Sequence, residues 1–366
     1  MVETNEIKSK INKENNGFGK KIILAVGGVA VGTIFGYALQ KGNVYLPSVI
    51  QGQMNFTNFT MLKMFMTASL TSSLAITFLN SQGLIVLEKS ATMYKRNIVG
   101  GFIMGSGISL TGACPGTVLA QIPQIRGTLW TLFGGVVGAT LFGFVNNYIS
   151  KLLPSTPPTP KSSTTVYEKF KISMLKATIP FSLMIVLVLS LIESKFPWQV
   201  DSGVSKSISI FGSITESRVW SPYVAGITIG LMQIPSYLIS NNGLGCSSAY
   251  VTVGSKVCNA VNCSVDYFKS FNTTVRSIFG PLLNLGIIGG AYLASQSNPA
   301  PLVEQFNNQS ILSHFLGGFV LLFGARINGG CTSNGLTSLG KLEFSSFVTM
   351  ASMFAGGVLT SYFLNK

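Results

Sequence analysis

Nine stretches of about twenty mostly apolar residues recur along this chain, near 21–40, 59–80, 97–114, 128–148, 173–192, 219–239, 277–295, 311–328 and 344–364. As a helix, a stretch of that length spans the roughly 30 Å hydrocarbon core of a bilayer. In lipid the backbone must satisfy its own hydrogen bonds, so repeated spans of this kind fold as a helical bundle. Composition agrees: of 366 residues, 47% are hydrophobic and 10% charged, and mean hydropathy is +0.47. A soluble domain carries roughly 25% charged residues. The expected fold is an all-α polytopic membrane protein.

Four pieces between the spans are too short to cross and rich in Gly, Ser, Thr or Pro: 43–53, 115–125, 243–254 and 331–340. Broken or re-entrant backbone at membrane depth survives only inside protein or beside a water-filled cavity. Four such pieces predict a translocation path rather than an anchor.

The net charge is +14. A nucleic-acid partner is excluded, because the charges lie in short loops between apolar spans and not on one basic face. Lys8, Lys10, Lys13, Lys20 and Lys21 precede the first span. Lys89, Lys95 and Arg96 precede the third, and Lys151, Lys161, Lys169, Lys171 and Lys176 fill the central loop. Lys256, Lys269 and Arg276 follow the sixth. Nine spans with a cytosolic N-terminus put all these loops on one side, as the positive-inside rule requires. The expected protein is integral and multi-pass, in a plasma or inner membrane. Residues 1–20 read as a disordered cytosolic arm, 21–150 as a first transmembrane half, 151–172 as a cytosolic linker and 173–366 as a second half.

The halves resemble each other. Gly101 to Cys114 aligns without gaps on Gly318 to Cys331, with five of fourteen positions identical, including Gly112/Gly329 and Cys114/Cys331. On the span count the two copies run in opposite directions, which predicts inverted repeats and a site near the midplane between them. Glycines four apart, at 28/32/36, 134/138, 226/230 and 286/290, predict close helix packing.

Each copy places a thiol where a helix must break. Glycine lets backbone approach a ligand, Pro115 is suited to the first position of a helix, and a helix N-terminus presents N–H groups to an anion. Gly116, Thr117, Gly330, Thr332, Ser333 and Asn334 surround the two cysteines. A thiol is a soft, polarisable, weak donor that suits a sulfur-containing anion, and in apolar surroundings it stays neutral. Cys246 and Gln233, in the broken region of the sixth span, and Tyr45, in that of the first, are further candidates. Arg326, five residues before Cys331 in an apolar span, is a functional candidate by its cost alone. Lys41 and Lys63 could draw anions inward, although a lysine near a helix end more often snorkels to the interface. Cys258 and Cys263 read as packed core residues, His314 as a boundary residue without a role, and no disulfide framework is expected. One histidine and no CxxC leave no expected metal or cofactor.

Gly36-Tyr-Ala-Leu-Gln40 with Tyr45-Leu-Pro47, Gly112-Ala-Cys-Pro-Gly116, Gly245-Cys-Ser-Ser248 and Ala325-Arg-Ile-Asn-Gly-Gly-Cys-Thr-Ser333 together resemble the YeeE/YedE family of membrane proteins with a sulfur-transport domain. The resemblance covers nearly the whole chain after residue 21. It implies an hourglass of inverted halves, with short helices meeting at a waist, and uptake of thiosulfate relayed by cysteine S–H groups. Cys114 and Cys331 match the family's Gly-x-Cys cysteines. Where the family has another cysteine after the first broken span, this sequence has Tyr45, with Cys246 available in compensation. A sulfurtransferase or other sulfur-assimilation enzyme would receive the cargo.

Three alternatives stand beside a thiosulfate-type permease. One is a carrier of another sulfur or selenium species. Another is a passive pore for small neutral solutes, which would not need paired thiols. The last is a membrane redox or sulfur-transfer enzyme with Cys114 or Cys331 as nucleophile, which needs a base that the sequence does not display. No catalytic residue is expected.

Overall fold

A computed structural model describes residues 17–156 except 89 and 92, 164–203, 218–301 except 261 and 264, residue 305, and 310–364. The first sixteen residues, Lys89, Lys161 and the proline-rich part of the linker lie outside the described residues. Among the described residues there is no strand, only an isolated bridge between Thr165 and Glu343, and nine helices are long and apolar enough to cross a membrane.

The principal helices are α1 Phe18–Lys41, α2 Pro47–Met54, α3 Thr60–Ser81, α4 Tyr94–Thr111, α5 Pro115–Gln121, α6 Thr128–Leu152, α7 Met174–Lys195, α8 Pro222–Leu231, α9 Gln233–Ser240, α10 Ser247–Ala260, α11 Thr274–Ser295, α12 Ile311–Ile327, α13 Thr332–Gly340 and α14 Phe344–Leu364. All four expected short pieces are helical. The third of them, α10, runs several residues further than its Gly/Ser-rich start implies. Helices α8 and α9 form one span broken at Met232. Pro235 has no N–H to offer the Leu231 carbonyl four residues earlier, so the ladder is interrupted there.

The order long, short, long, long, short, long occurs twice, in α1–α6 and again from α8–α9 to α14. Packing follows the same correspondence. Helix α1 packs on α11 and α3 on α8; α4 packs on α14 and α6 on α12; α4 and α12 pack on each other. Helix α7 falls outside this pattern and packs on α3. The contacts are glycine-mediated. A Cβ at Gly36 would overlap the Ile287 carbonyl, and one at Gly290 the Thr33 carbonyl. Gly226 meets Met64 in this way, Gly105 meets Met353, and Gly134 meets Phe315. Small residues let helix backbones touch where lipid offers no hydrophobic drive.

Hydrogen bonds between loops sort the helix ends onto two faces. On one, Arg96 donates to the Leu153 carbonyl and Ser150, Val166 donates to the Leu342 carbonyl, and Ser90 donates to Glu343. On the other, Trp220 donates to the Lys41 carbonyl, Gln40 and Asn298 exchange side-chain-to-carbonyl bonds, and Arg126 N donates to the Gln305 carbonyl. Lys95, Arg96, Lys151, Lys169, Lys171 and Lys341 gather on the first, basic face. Large exposed apolar side chains such as Ile23, Leu141, Leu187 and Phe363 form the outer wall. The chain is an integral, multi-pass membrane protein.

Candidate functional site: three thiols at three breaks

Each Gly-x-Cys motif ends one helix and starts another. Helix α4 closes at Gly112 with φ 60°, and Cys114, extended at φ −99° and ψ 168°, caps α5 with Pro115 at its first position. Helix α12 is followed by Gly329 at φ 87°, and Cys331, at φ −96° and ψ −174°, caps α13. Glycine takes positive φ without the strain a Cβ would impose, which is why the residue two before each cysteine is glycine. The two motifs thus share a backbone shape as well as residues.

Both caps close with the residue three further on. Thr117 N donates to Cys114 Sγ at 3.4 Å and Cys114 N to Thr117 Oγ1 at 2.6 Å, a capping box with sulfur in the usual place of oxygen. Cys331 N donates to Asn334 Oδ1 at 3.2 Å, and Cys331 Sγ lies 3.3 Å from the same oxygen.

Cys246 sits at a third break, on the loop from α9 to α10. Gln233 Oε1 accepts Leu244 N at 3.1 Å, and Gln233 Nε2 donates to Thr337 Oγ1 at 3.0 Å. Asn284 Nδ2 donates to the Cys246 carbonyl at 3.2 Å. Gln233 therefore ties this loop to α13, and its polar atoms are spent on scaffold contacts.

The three free thiols are buried and share neighbours. An ideal Cβ on Gly116 would stand 3.4 Å from Cys246 Sγ and 4.0 Å from Cys114 Sγ, so these two sulfurs flank one backbone position. Ser333 Oγ accepts Cys246 N at 3.2 Å and lies 3.0 Å from Cys331 Sγ. Tyr250 Oη donates to the Pro115 carbonyl at 2.8 Å, tying α10 to the start of α5. Gly330 is packed against the Asn334 side chain, and Thr332 is buried at the start of α13. Among the described residues no His, Asp, Glu or Lys hydrogen-bonds to any of the three thiols, whose partners are hydroxyls, amides and backbone.

Tyr45 is buried, and its carbonyl shares the Gln121 amide with the Gly112 carbonyl, at 2.8 and 2.9 Å. The first broken span is thereby held against the Gly112–Cys114 turn. Arg326 is buried too: Nε donates to Tyr267 Oη at 2.9 Å and Nη1 to Ser247 Oγ at 3.4 Å, while Ser247 lies directly after Cys246.

Tyr250, Asn284 and Gln121 were not singled out from the sequence. A signal for Tyr250 exists: it lies four residues after Cys246, one helical turn along the same face. Other expectations are corrected. Cys258 packs in the core with Cys263 against it, as expected, but the two are joined as a disulfide, which was not expected. Lys63 does not face an anion path. It is fully buried, 3.1 Å from both Glu193 and Asp201, and it also donates to the Phe196 carbonyl. His314, read as a boundary residue, lies in the first turn of α12, buried, with Nδ1 3.0 Å from Thr131 Oγ1.

Comparison with known proteins bears on this arrangement. The chain is 24% identical over 349 residues to a thiosulfate transporter, TsuA, of Escherichia coli strain K12, covering 91% of this chain and 92% of that protein. It is 23% identical over 345 residues to a thiosulfate transporter, TsuA, of Spirochaeta thermophila, covering 89% and 94%. The sulphur transport family model matches residues 41–359, a stretch that contains all four short helices and all three thiols, and the chain belongs to that family.

Proposed function

We propose that this protein carries thiosulfate, or a closely related small sulfur-containing anion, through a path whose waist is the Cys114–Cys246–Cys331 cluster. The convergence of three free thiols from three separate chain breaks onto Gly116 and Ser333 supports this reading. A neutral S–H group donates weakly, and its sulfur is polarisable, so an anion's terminal sulfur can pass from one thiol to the next without being trapped. Thr117, Ser333 and Asn334 orient the sulfurs. Pro115, Gly116, Gly330 and Thr332 shape the two helix starts. Tyr45 and Gln233 hold the broken spans in place, and Arg326 supplies positive charge beside Cys246.

We also infer that the halves form an inverted repeat. The exchange of packing partners supports it, and so do the opposite directions in which α4 and α12 run between the two faces. The basic face is assigned to the cytosol by the positive-inside rule. The relatives' names favour transport over sulfur-transfer chemistry, and among the described residues no His, Asp, Glu or Lys hydrogen-bonds to a thiol to generate a thiolate.

The test is uptake of labelled thiosulfate into proteoliposomes by wild type, Cys114→Ala and Cys331→Ala. Uptake by wild type that is lost in either folded variant supports the relay. Uptake retained in both removes the relay and keeps the carrier. No uptake above empty vesicles removes thiosulfate as the substrate.

A further inference from the structure

Beside the thiol cluster, between the α9–α10 loop, α11 and the α12–α13 break, lies a cavity of about 210 Å³. Its wall includes Asn242, Ser248, Arg276, Arg326 and Asn334, and no carboxylate is among its described lining residues. The two guanidinium groups each stand 5.3 Å from the centre of the same ring, Phe271. Neither arginine forms a salt bridge with a described residue. Their hydrogen bonds go to neutral groups: Arg276 donates to the Ser270 carbonyl at 3.0 Å, and Arg326 to Tyr267 and Ser247.

Two like charges gathered round one ring without a counter-charge repel each other, and an anion between them relieves that repulsion. Guanidinium forks match the paired oxygens of an oxyanion. Asn242, Ser248 and Asn334 add neutral polar groups. The cavity also abuts the relay. Asn334 Oδ1, the acceptor that caps Cys331, takes the Ser247 hydroxyl at 3.3 Å, and Gly245 of the lining precedes Cys246.

We propose that this cavity is a separate binding site for divalent tetrahedral sulfur oxyanions, one that reads charge and oxygen, while the thiols read terminal sulfur. Sulfate, which has oxygens but no terminal sulfur, is held in the cavity and is not passed on. The site rests on the cavity alone; its role as a holding site on the cytosolic side of the thiols rests on the thiosulfate reading above.

The experiment is equilibrium binding of labelled sulfate to the full-length protein in nanodiscs at low ionic strength, since exposed charge interactions are screened by salt. Variants are Arg276→Gln, Ser248→Asp and, as a control for lost charge on the same face, the exposed Lys256→Gln. Ser248→Asp puts a carboxylate in the cavity at the first turn of α10, where a helix tolerates negative charge. Expected is saturable sulfate binding by wild type, unchanged in Lys256→Gln, at least tenfold weaker in Arg276→Gln and absent in Ser248→Asp. No saturable binding by wild type, or binding unaltered in both cavity variants, overturns the proposal. Arginine-dependent sulfate binding by a protein that takes up no thiosulfate keeps the site and discards the transport reading. Thiosulfate uptake without sulfate binding does the reverse.

Discussion

The Ser333 hydroxyl lies 3.0 Å from Cys331 Sγ and accepts the Cys246 backbone N–H at 3.2 Å, so one small side chain links two of the three thiol positions. Removing it leaves a buried N–H without an acceptor, at a cost of about 1–3 kcal/mol. Ser333→Ala is expected to lower the melting temperature by several degrees and to reduce thiosulfate uptake. Ser333→Thr keeps the oxygen and is expected to restore most of both. Thermal unfolding in detergent and proteoliposome uptake check this; a Ser333→Ala protein with wild-type stability and uptake would show that the link is incidental.

Gly116 is a place where filling space alone should block function. An alanine Cβ there meets Cys246 Sγ at 3.4 Å and Cys114 Sγ at 4.0 Å, ordinary contact that does not force the fold apart. Alanine is favoured over glycine inside a helix by roughly 0.5–1 kcal/mol. Gly116→Ala is therefore expected to melt at or above the wild-type temperature while uptake falls at least tenfold. Uptake that survives the substitution would mean that the anion does not pass between these two sulfurs.

Lys63 carries the opposite expectation: a large effect on stability with no direct one on substrate. Its ammonium lies 3.1 Å from Glu193 at the end of α7 and 3.1 Å from Asp201 in the turn beyond, which clamps α7, the span outside the repeated pattern, to α3. Removing one partner of a buried ion pair costs about 3–5 kcal/mol, because the remaining charge is stranded. Lys63→Met should lower the melting temperature sharply, and Lys63→Met with Asp201→Asn should recover part of the loss. Protein that does fold should keep the wild-type KM for thiosulfate. A raised KM with unchanged stability would return Lys63 to the anion path.

Spans and breaks were legible in the sequence because their causes are local. Apolar length sets the spans. Pro115 and the glycines at 112 and 329 set two of the breaks. The glycines four apart announced close packing of the helices that carry them for the same reason, since a missing Cβ is written in the residue itself, but not which helices would meet. Convergence was less visible. Nothing local to Cys246 says that its sulfur meets the Gly116 backbone, because that contact joins residues 130 positions apart, and the choice between packing and function at Cys246 could not be made from one segment. Lys63 was misread for the same reason. A lysine near the start of an apolar span carries an open charge in sequence, and its two acids, at the end of α7 and in the turn beyond, lie more than a hundred residues away. The Cys258–Cys263 pairing was missed because neither a CxxC spacing nor a secreted pattern marks it.

Tyr250 tests whether that convergence is maintained by α10 as a lever on α5. Its hydroxyl donates to the Pro115 carbonyl at 2.8 Å, at the first residue of the helix that Cys114 caps. Tyr250→Phe keeps the ring and its packing and removes only this bond, worth about 1 kcal/mol. Were the bond merely structural, stability would fall slightly and uptake would follow only the amount of folded protein. If it fixes the distance between Cys114 and Cys246, uptake per folded molecule falls several-fold at unchanged KM, because the anion still enters but crosses the waist more slowly. A crosslinking readout separates the two without transport. A short bifunctional thiol reagent should join Cys114 to Cys246 in wild type, and less efficiently in Tyr250→Phe if the hydroxyl holds the sulfurs in register; equal yields in both would assign the hydroxyl to stability alone.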